Sequence, residues 1–177
     1  DVDLNEDQVM LQDMTRRFLE ERAPIGALRK AVDGGAAIDR ALWREAAELG
    51  WVALFVPEEY GGIAEAAGGV MDAAIVAEEL GRVVFAGPFL STCVVAMAIA
   101  GAGSAAQKQQ WLPGLASGEL LGAWAGAEGL TATRAGDGYV IDGTAAFVQD
   151  AALADVLLVT AMSEQGPVQL LLPKDAD

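Results

Sequence analysis

Near Leu120 the apolar residues change rhythm, and that change restricts the chain to folds that set helices first and a sheet second. Before it, apolar positions recur every three or four residues over helix-length stretches. After it, they come in short runs separated by Gly-Asp-Gly and Gln-Gly-Pro turns. Asn5 with Gln8 makes a capping pair for a helix over about residues 5 to 22, and Asp39 is the N-cap of a second helix carrying Leu42, Trp43, Ala46 and Leu49 and closed by Gly50. Trp51 to Pro57 reads as an extended connector before Gly61-Gly62. A third helix is expected from about Ala66 to Leu80, a fourth after Pro88, and a fifth from Ser104, with Gln107 completing a capping box and Pro113 ending it. Leu120–Ala125, Tyr139–Ile141, Ala145–Val148, Val156–Ala161 and Val168–Leu172 predict five strands of an antiparallel sheet. The expected fold is α+β, with an N-terminal helical bundle over residues 1–119 and an incomplete β-domain over 120–177, whose edges would be open to pairing.

Composition narrows the chemistry. With 11 Lys and Arg against 26 Asp and Glu, the net charge of -15 repels phosphate backbones and anionic headgroups, so neither nucleic acid nor a membrane surface is an expected partner. The absence of histidine removes imidazole catalysis, and a single cysteine removes internal disulfides and thiolate clusters, so no metal site is expected. What is left is carboxylates, backbone groups, aromatics or a borrowed cofactor. From Val83 to Gln107 there is no charged residue, yet Pro88, Ser91 and Thr92 interrupt the run. Its helix-competent part, about Phe89 to Ala100, is shorter than the ~20 residues a bilayer span needs. A buried helix is the expectation. The acidic opening, Asp1, Asp3, Glu6 and Asp7, is unlike a secretory leader, which points to a cytoplasmic protein.

Several local patterns invite chemistry. Gly101-Ala-Gly103 followed by Ala106 imitates the dinucleotide fingerprint and leaves open a nicotinamide-binding reading, although it lacks a βαβ setting and suits a helix C-cap followed by an N-cap better. Glu78-Glu79, with Arg82 four residues after Glu78, reads as a solvated ion-pairing face. Cys93 lies among apolar neighbours as an inert thiol. Trp111 and Trp124 suit packing at the helix-to-sheet junction, or stacking on a ring system.

Four ordered blocks together resemble the acyl-CoA dehydrogenase family. Val56-Pro-Glu-Glu-Tyr-Gly-Gly62 is similar to the family's P-E-E-Y-G-G turn, and Glu78-Glu-Leu-Gly-Arg82 to its E-E-L-G helix end. Gln107-Lys-Gln-Gln-Trp-Leu-Pro-Gly-Leu-Ala-Ser-Gly-Glu119 is similar to Q-K-x-x-(Y/W)-L-P-x-L-A-S-G-E. Gly138-Tyr-Val-Ile-Asp-Gly143 and Phe147-Val-Gln-Asp-Ala151, followed by Ala154-Asp155, resemble G-Y-x-L-N-G and W-I-T-N-A with A-D.

That resemblance implies a helical N-terminal domain, a middle β-domain, and a C-terminal helical domain missing from this chain. It implies FAD as cofactor and oxidation of an acyl-CoA thioester to the trans-2-enoyl-CoA, in which a carboxylate takes the α-proton and the flavin accepts the β-hydrogen as hydride. The family's base is a Glu of the C-terminal domain, so no catalytic residue is assigned here. Trp124, Gly126, Ala127, Phe147, Val148 and Gln149 fall at the implied flavin site, and Thr92, Val95, Ala96 and Ile99 where members present small or apolar groups to the acyl chain. Ala127 replaces the Thr of T-E-P-x-x-G-S-D, and the loop after Gly129 is shortened, so the implied flavin site is weakened. The expected partners are the acyl-CoA, a second acyl-CoA dehydrogenase-like chain or the missing domain, and an electron-transfer flavoprotein. Fatty acid or sterol side-chain β-oxidation in a heterotetramer fits this reading, and a catalytically silent interaction subunit is its rival.

Overall fold

The computed structural model describes residues 3–33, 38–64, 69–126 and 129–176, with the side chains of residues 27, 28, 31 and 32 outside the description. Helices α1 (Glu6–Arg22), α2 (Ile25–Asp33), α3 (Arg40–Ala47), α4 (Val70–Arg82), α5 (Phe89–Ala102) and α6 (Ala105–Ala116) precede strands β1 (Gly122–Ala125), β2 (Leu130–Ala135), β3 (Gly138–Gly143), β4 (Val156–Ser163) and β5 (Gly166–Pro173). The α+β order is as the periodicity predicts.

Local chemistry sets the helix starts. Asn5 and Gln8 form a reciprocal capping box, as do Ser104 and Gln107, and the Asp39 carboxylate accepts from the backbone N–H groups of Ala41 and Leu42. Helix α2 was not expected from the sequence. Helix α4 begins at Val70, and the start expected at Ala66 lies outside the described residues. Pro113 does not end α6. The helix continues to Ala116, since the N–H that proline lacks would have bonded only exposed Gln109, and the Pro113 carbonyl still accepts from Ser117 N at 3.0 Å.

Trp51 organises the helical core. It is fully buried, Phe18, Phe85 and Phe89 meet its ring edge-on at 5.8, 5.8 and 6.2 Å, and its indole N–H donates to Thr15 Oγ1 at 3.2 Å. The extended connector expected over 51–57 is instead two 3₁₀ turns, Ala53–Phe55 and Glu58–Tyr60. The coiling lets Trp51, Val52, Leu54 and Val56 all face the core, which an alternating strand could not do. Gly62 closes this segment because a Cβ there would collide with the Val56 carbonyl.

The sheet is mixed rather than antiparallel throughout. Strand β4 is its spine: β5 lies antiparallel along one edge from Val156↔Pro173 to Ser163↔Gly166, and the other edge is shared. There β1 runs parallel from Gly122↔Val156 to Ala125↔Val159, and β2 joins parallel at Thr131↔Met162 before turning antiparallel into β3. Parallel pairing follows because β1 and β2 advance along the same side of one strand, with a break after Ala125. The strand expected at Ala145–Val148 is an irregular turn, and β2, absent from the expectation, carries the sheet there. The alternation of Leu130 and Ala132 inside with Thr131 and Thr133 outside was the available signal.

Helices and sheet share one core. Val95, Ala96 and Ile99 of α5 cluster with Leu121 just before β1 and with Val156 and Leu158 of β4, as well as with Trp43 and Trp51. A salt bridge reinforces the joint: Asp155 accepts from Arg40 Nη1 at 3.0 Å and Nη2 at 3.2 Å, and from Leu121 N at 2.9 Å. Glu79 is not solvated. It is 1% exposed and accepts a fork from Arg16 at 2.7 and 3.1 Å, with Arg82 at 3.3 Å. That hydrogen bonding, with the attraction of both arginines, holds its carboxyl below the ordinary carboxylate range against the opposing effect of burial.

Candidate functional site

Helix α5 crosses β1 at close range because the first strand residue is glycine. A Cβ on Gly122 would stand 2.8 Å from Val95 Cβ. The Thr92 hydroxyl accepts from Gly122 N at 3.2 Å and lies 3.4 Å from Gly122 O, so a buried side chain satisfies the strand's opening backbone. Further along β1 the helix ends and the strand's outward face emerges. Trp124 stands there, 48% exposed, with its indole N–H donating to Thr160 Oγ1 at 3.2 Å.

At this edge is a cleft of about 330 Å³, lined by Leu90, Ser91 and Val94 of α5, Trp124 and Gly126 at the end of β1, and the turn Ala146–Gln149. The turn's backbone is unusual: Phe147 has φ +56° and Asp150 φ +60°, the left-handed region that residues with a Cβ seldom adopt. The Phe147 side chain is fully exposed, at 104%, where it lines the cleft. Strained backbone and an unburied large aromatic together mark a site rather than a core.

Five of the six residues expected at a flavin site therefore line one cleft: Trp124, Gly126, Phe147, Val148 and Gln149. The sixth, Ala127, lies outside the described residues. The four expected at the acyl chain are placed differently. Thr92, Val95 and Ala96 are fully buried against β1 and the helical core, and Ile99, 2% exposed, lines a second cleft of only about 60 Å³ with Gln107, Leu158 and Gln169. They share a helical face, as expected, but that face packs. The opposite face, Leu90 and Val94, reaches the larger cleft, and the uncharged composition of α5 hid which side was which. Ser91, read from the sequence only as an interruption of the apolar run, also lines this cleft.

The lining is chemically specific. Two aromatic rings, an exposed primary amide at Gln149 and open backbone at Gly126 suit a flat heteroaromatic ring with a polar edge. Among the described residues, no titratable side chain lines the cleft, and what its lining offers is apolar and aromatic surface with one amide. Among them, too, no group of three or more potential ligands is placed to hold a metal ion. The imitation of a dinucleotide fingerprint dissolves: residues 94–100 are helix, Gly103 is the C-cap of α5 with its N–H on Ile99 O at 2.8 Å, and Ser104 caps α6. Without a strand before the glycines, the nicotinamide reading loses its basis. Cys93, buried beneath Trp51, is inert, its thiol pushed up to about 12 by burial. No described helix is long and apolar enough to cross a membrane.

Residues 5–119 match the family model described as the acyl-CoA dehydrogenase N-terminal domain. Acyl-CoA dehydrogenase FadE12 of Mycobacterium tuberculosis is 33% identical over 186 residues, covering 85% of this chain and 46% of the relative. Mitochondrial isovaleryl-CoA dehydrogenase of Bos taurus is 30% identical over 176 residues, covering 91% of this chain and 40% of its own. Among solved structures, a variant of the Tcur3481-Tcur3483 steroid ACAD superposes with a TM-score of 0.85 at 35% identity, over 96% of this chain and 48% of that one. The ChsE4-ChsE5 complex from Mycobacterium tuberculosis gives 0.87 at 27% identity, over 99% and 49%. The chain spans about half the length of the curated relatives it matches.

Proposed function

The chain belongs to the acyl-CoA dehydrogenase family, and from that premise we propose that it contributes the flavin-facing half of a heteromeric, FAD-dependent enzyme that oxidises an acyl-CoA thioester to the trans-2-enoyl-CoA. The observation that carries this reading is the gathering of Trp124, Gly126, Phe147, Val148 and Gln149 around one cleft where α5 meets the sheet. Bound there, FAD would supply the electron acceptor that no side chain of this protein can provide.

The chain's own residues bind, orient and shield. Phe147 and Trp124 offer faces for stacking, Gln149 offers an amide donor in place of the family's Thr, and Gly126 offers backbone without a side chain in the way. Leu90 and Val94 give the cleft an apolar wall that keeps water from the thioester's reacting carbons, while Thr92, Val95, Ala96 and Ile99 back that wall and set the space beyond it. The general base comes from polypeptide outside this chain, in keeping with the absence of a carboxylate among the described lining residues. Ala127 has no hydroxyl to offer, so the chain alone holds flavin weakly, with fewer than one FAD per chain in the native oligomer. A net hydrogen bond is worth about 0.5–1.5 kcal/mol, so losing two or three reduces affinity by one to three powers of ten.

A second acyl-CoA dehydrogenase-like chain completes the site, as the two-chain names of two structural neighbours suggest, and electrons pass to an electron-transfer flavoprotein. The steroid substrate in one neighbour's name favours a sterol side chain over a simple fatty acyl group. The test is the visible spectrum and FAD content of the purified chain, alone and with a co-purifying partner. A flavin-loaded complex that turns over acyl-CoA, beside a pale and inactive single chain, is the expected result. A colourless complex would favour a silent interaction subunit, and one tightly held FAD per isolated chain would show the change at position 127 to be harmless.

A further inference from the structure

The turn that presents Phe147, Val148 and Gln149 is held by a side-chain bond from Ser91, at the wall of the same cleft. The Ser91 hydroxyl, on a residue 8% exposed, donates to Asp150 Oδ2 at 2.7 Å, while its other acceptor, the Pro88 carbonyl, is 3.2 Å away. A hydroxyl has one proton, and the shorter contact to a carboxylate is the stronger. Ser91 lies in the first turn of α5, so the carboxylate also sits at the end of the helix whose free N–H groups favour negative charge.

The turn has need of such a tie. Both Phe147 and Asp150 hold left-handed backbone, and among the described residues no backbone N–H from 145 to 149 donates to a backbone carbonyl. The backbone bonds that close the segment come from donors beyond it: Ala151 N to Val148 O at 3.4 Å, then Leu153 N and Ala154 N to Asp150 O at 2.9 and 3.1 Å. Asp150 is thus the point where the turn is fastened to the chain after it, and Ser91 the point where it is fastened to α5.

We propose that Ser91 and Asp150 are positioning residues, a latch that locks the turn so that Phe147 and Gln149 face the cleft. The latch is argued from geometry alone, and its effect on ligand affinity rests on the flavin reading. Released, the turn relaxes out of the left-handed region, and the ring and amide lose their shared orientation.

The full chain carries the test, with amide hydrogen exchange and FAD titration measured side by side in Ser91→Ala, Asp150→Ala and Asp150→Asn. Ser91→Ala leaves the backbone at 150 untouched and so isolates the bond. Exchange of the Leu153 and Ala154 amides should accelerate at least about tenfold, and FAD affinity fall by about tenfold, in both alanine variants, as loss of a charge-assisted bond requires, with exchange in the Trp51 core unchanged. Asp150→Asn keeps an acceptor and tolerates the left-handed backbone, so it should stay within about twofold of the parent. Unchanged exchange in Ser91→Ala, or an asparagine variant as impaired as the alanine one, overturns the latch. If exchange follows the expected order while the unsubstituted chain takes up no FAD, the latch stands and the flavin reading falls.

Discussion

Asp155 joins three parts of the protein at once, and removing it should cost more than removing the arginine it pairs with. Its Oδ2 accepts from Arg40 Nη1 and from Leu121 N, and its Oδ1 from Arg40 Nη2, so one carboxylate ties the start of α3 to the chain entering β1 and β4. The ion pair is half in solvent, with side-chain exposures of 38% for Arg40 and 23% for Asp155, which limits its worth to about 0–1 kcal/mol. The Leu121 N–H is different. Leu121 is 1% exposed, and a buried donor left unpaired costs about 1–3 kcal/mol. Asp155→Ala loses both and should destabilise by about 1–4 kcal/mol. Arg40→Ala loses only the first, since half-buried Leu153 O, which also accepts from Arg40 Nη2 at 2.8 Å, can turn to water, and should cost about 1 kcal/mol. Asp155→Asn, which keeps an acceptor for Leu121, should resemble Arg40→Ala. Urea unfolding at neutral pH, comparing midpoints at constant slope, measures the series. In the double variant Arg40→Ala should add almost nothing to Asp155→Ala, and added salt should weaken the parent more than either variant. If Arg40→Ala costs as much as Asp155→Ala, the weight lies in the ion pair and the reasoning from the buried amide is wrong.

Gly122→Ala should destabilise by about 1–3 kcal/mol, because the new methyl meets Val95 at 2.8 Å between packed backbones; Val95→Ala should recover part of that loss in thermal unfolding. Glu79 has a folded-state pKa below its ordinary value, so its contribution is whole above about pH 4.5 and fades as pH falls through the lower folded value. Glu79→Gln should therefore lower stability at neutral pH and flatten the acid limb of a stability–pH curve, and an unchanged acid limb would refute the assignment. Cys93, with its thiol at about 12, should resist a disulfide reagent at about pH 8 in the native chain and react at once in urea; fast labelling of the folded protein would contradict its burial.

Whatever depended on neighbours a few residues apart was legible in the sequence: the capping boxes at Asn5 and Ser104, the Asp39 cap, the uncharged run as a short buried helix, and the passage from helices to strands near Leu120. Hydrogen bonds within a helical turn and the period of an apolar stripe are local matters. The candidate flavin residues were legible only through family likeness. Nothing in their spacing announces that Trp124 and Phe147 line one cleft, since they lie 23 residues apart on a strand and a turn; the strand pairs with β4 from 34 residues further along. Tertiary structure alone decided which side of α5 faces the cleft. A helix with no charged side chain has no solvated face to betray its orientation, and Gly122 settles it by admitting Val95 and turning Leu90 and Val94 outward. The same holds for Ala145–Val148, an apolar run that reads as a strand until β2 takes the place beside β4, and for Glu79, buried because Arg16 reaches it from a helix 63 residues away. Burial of a charge and exposure of a ring are both settled by what stands opposite, and that partner comes from a distant part of the chain.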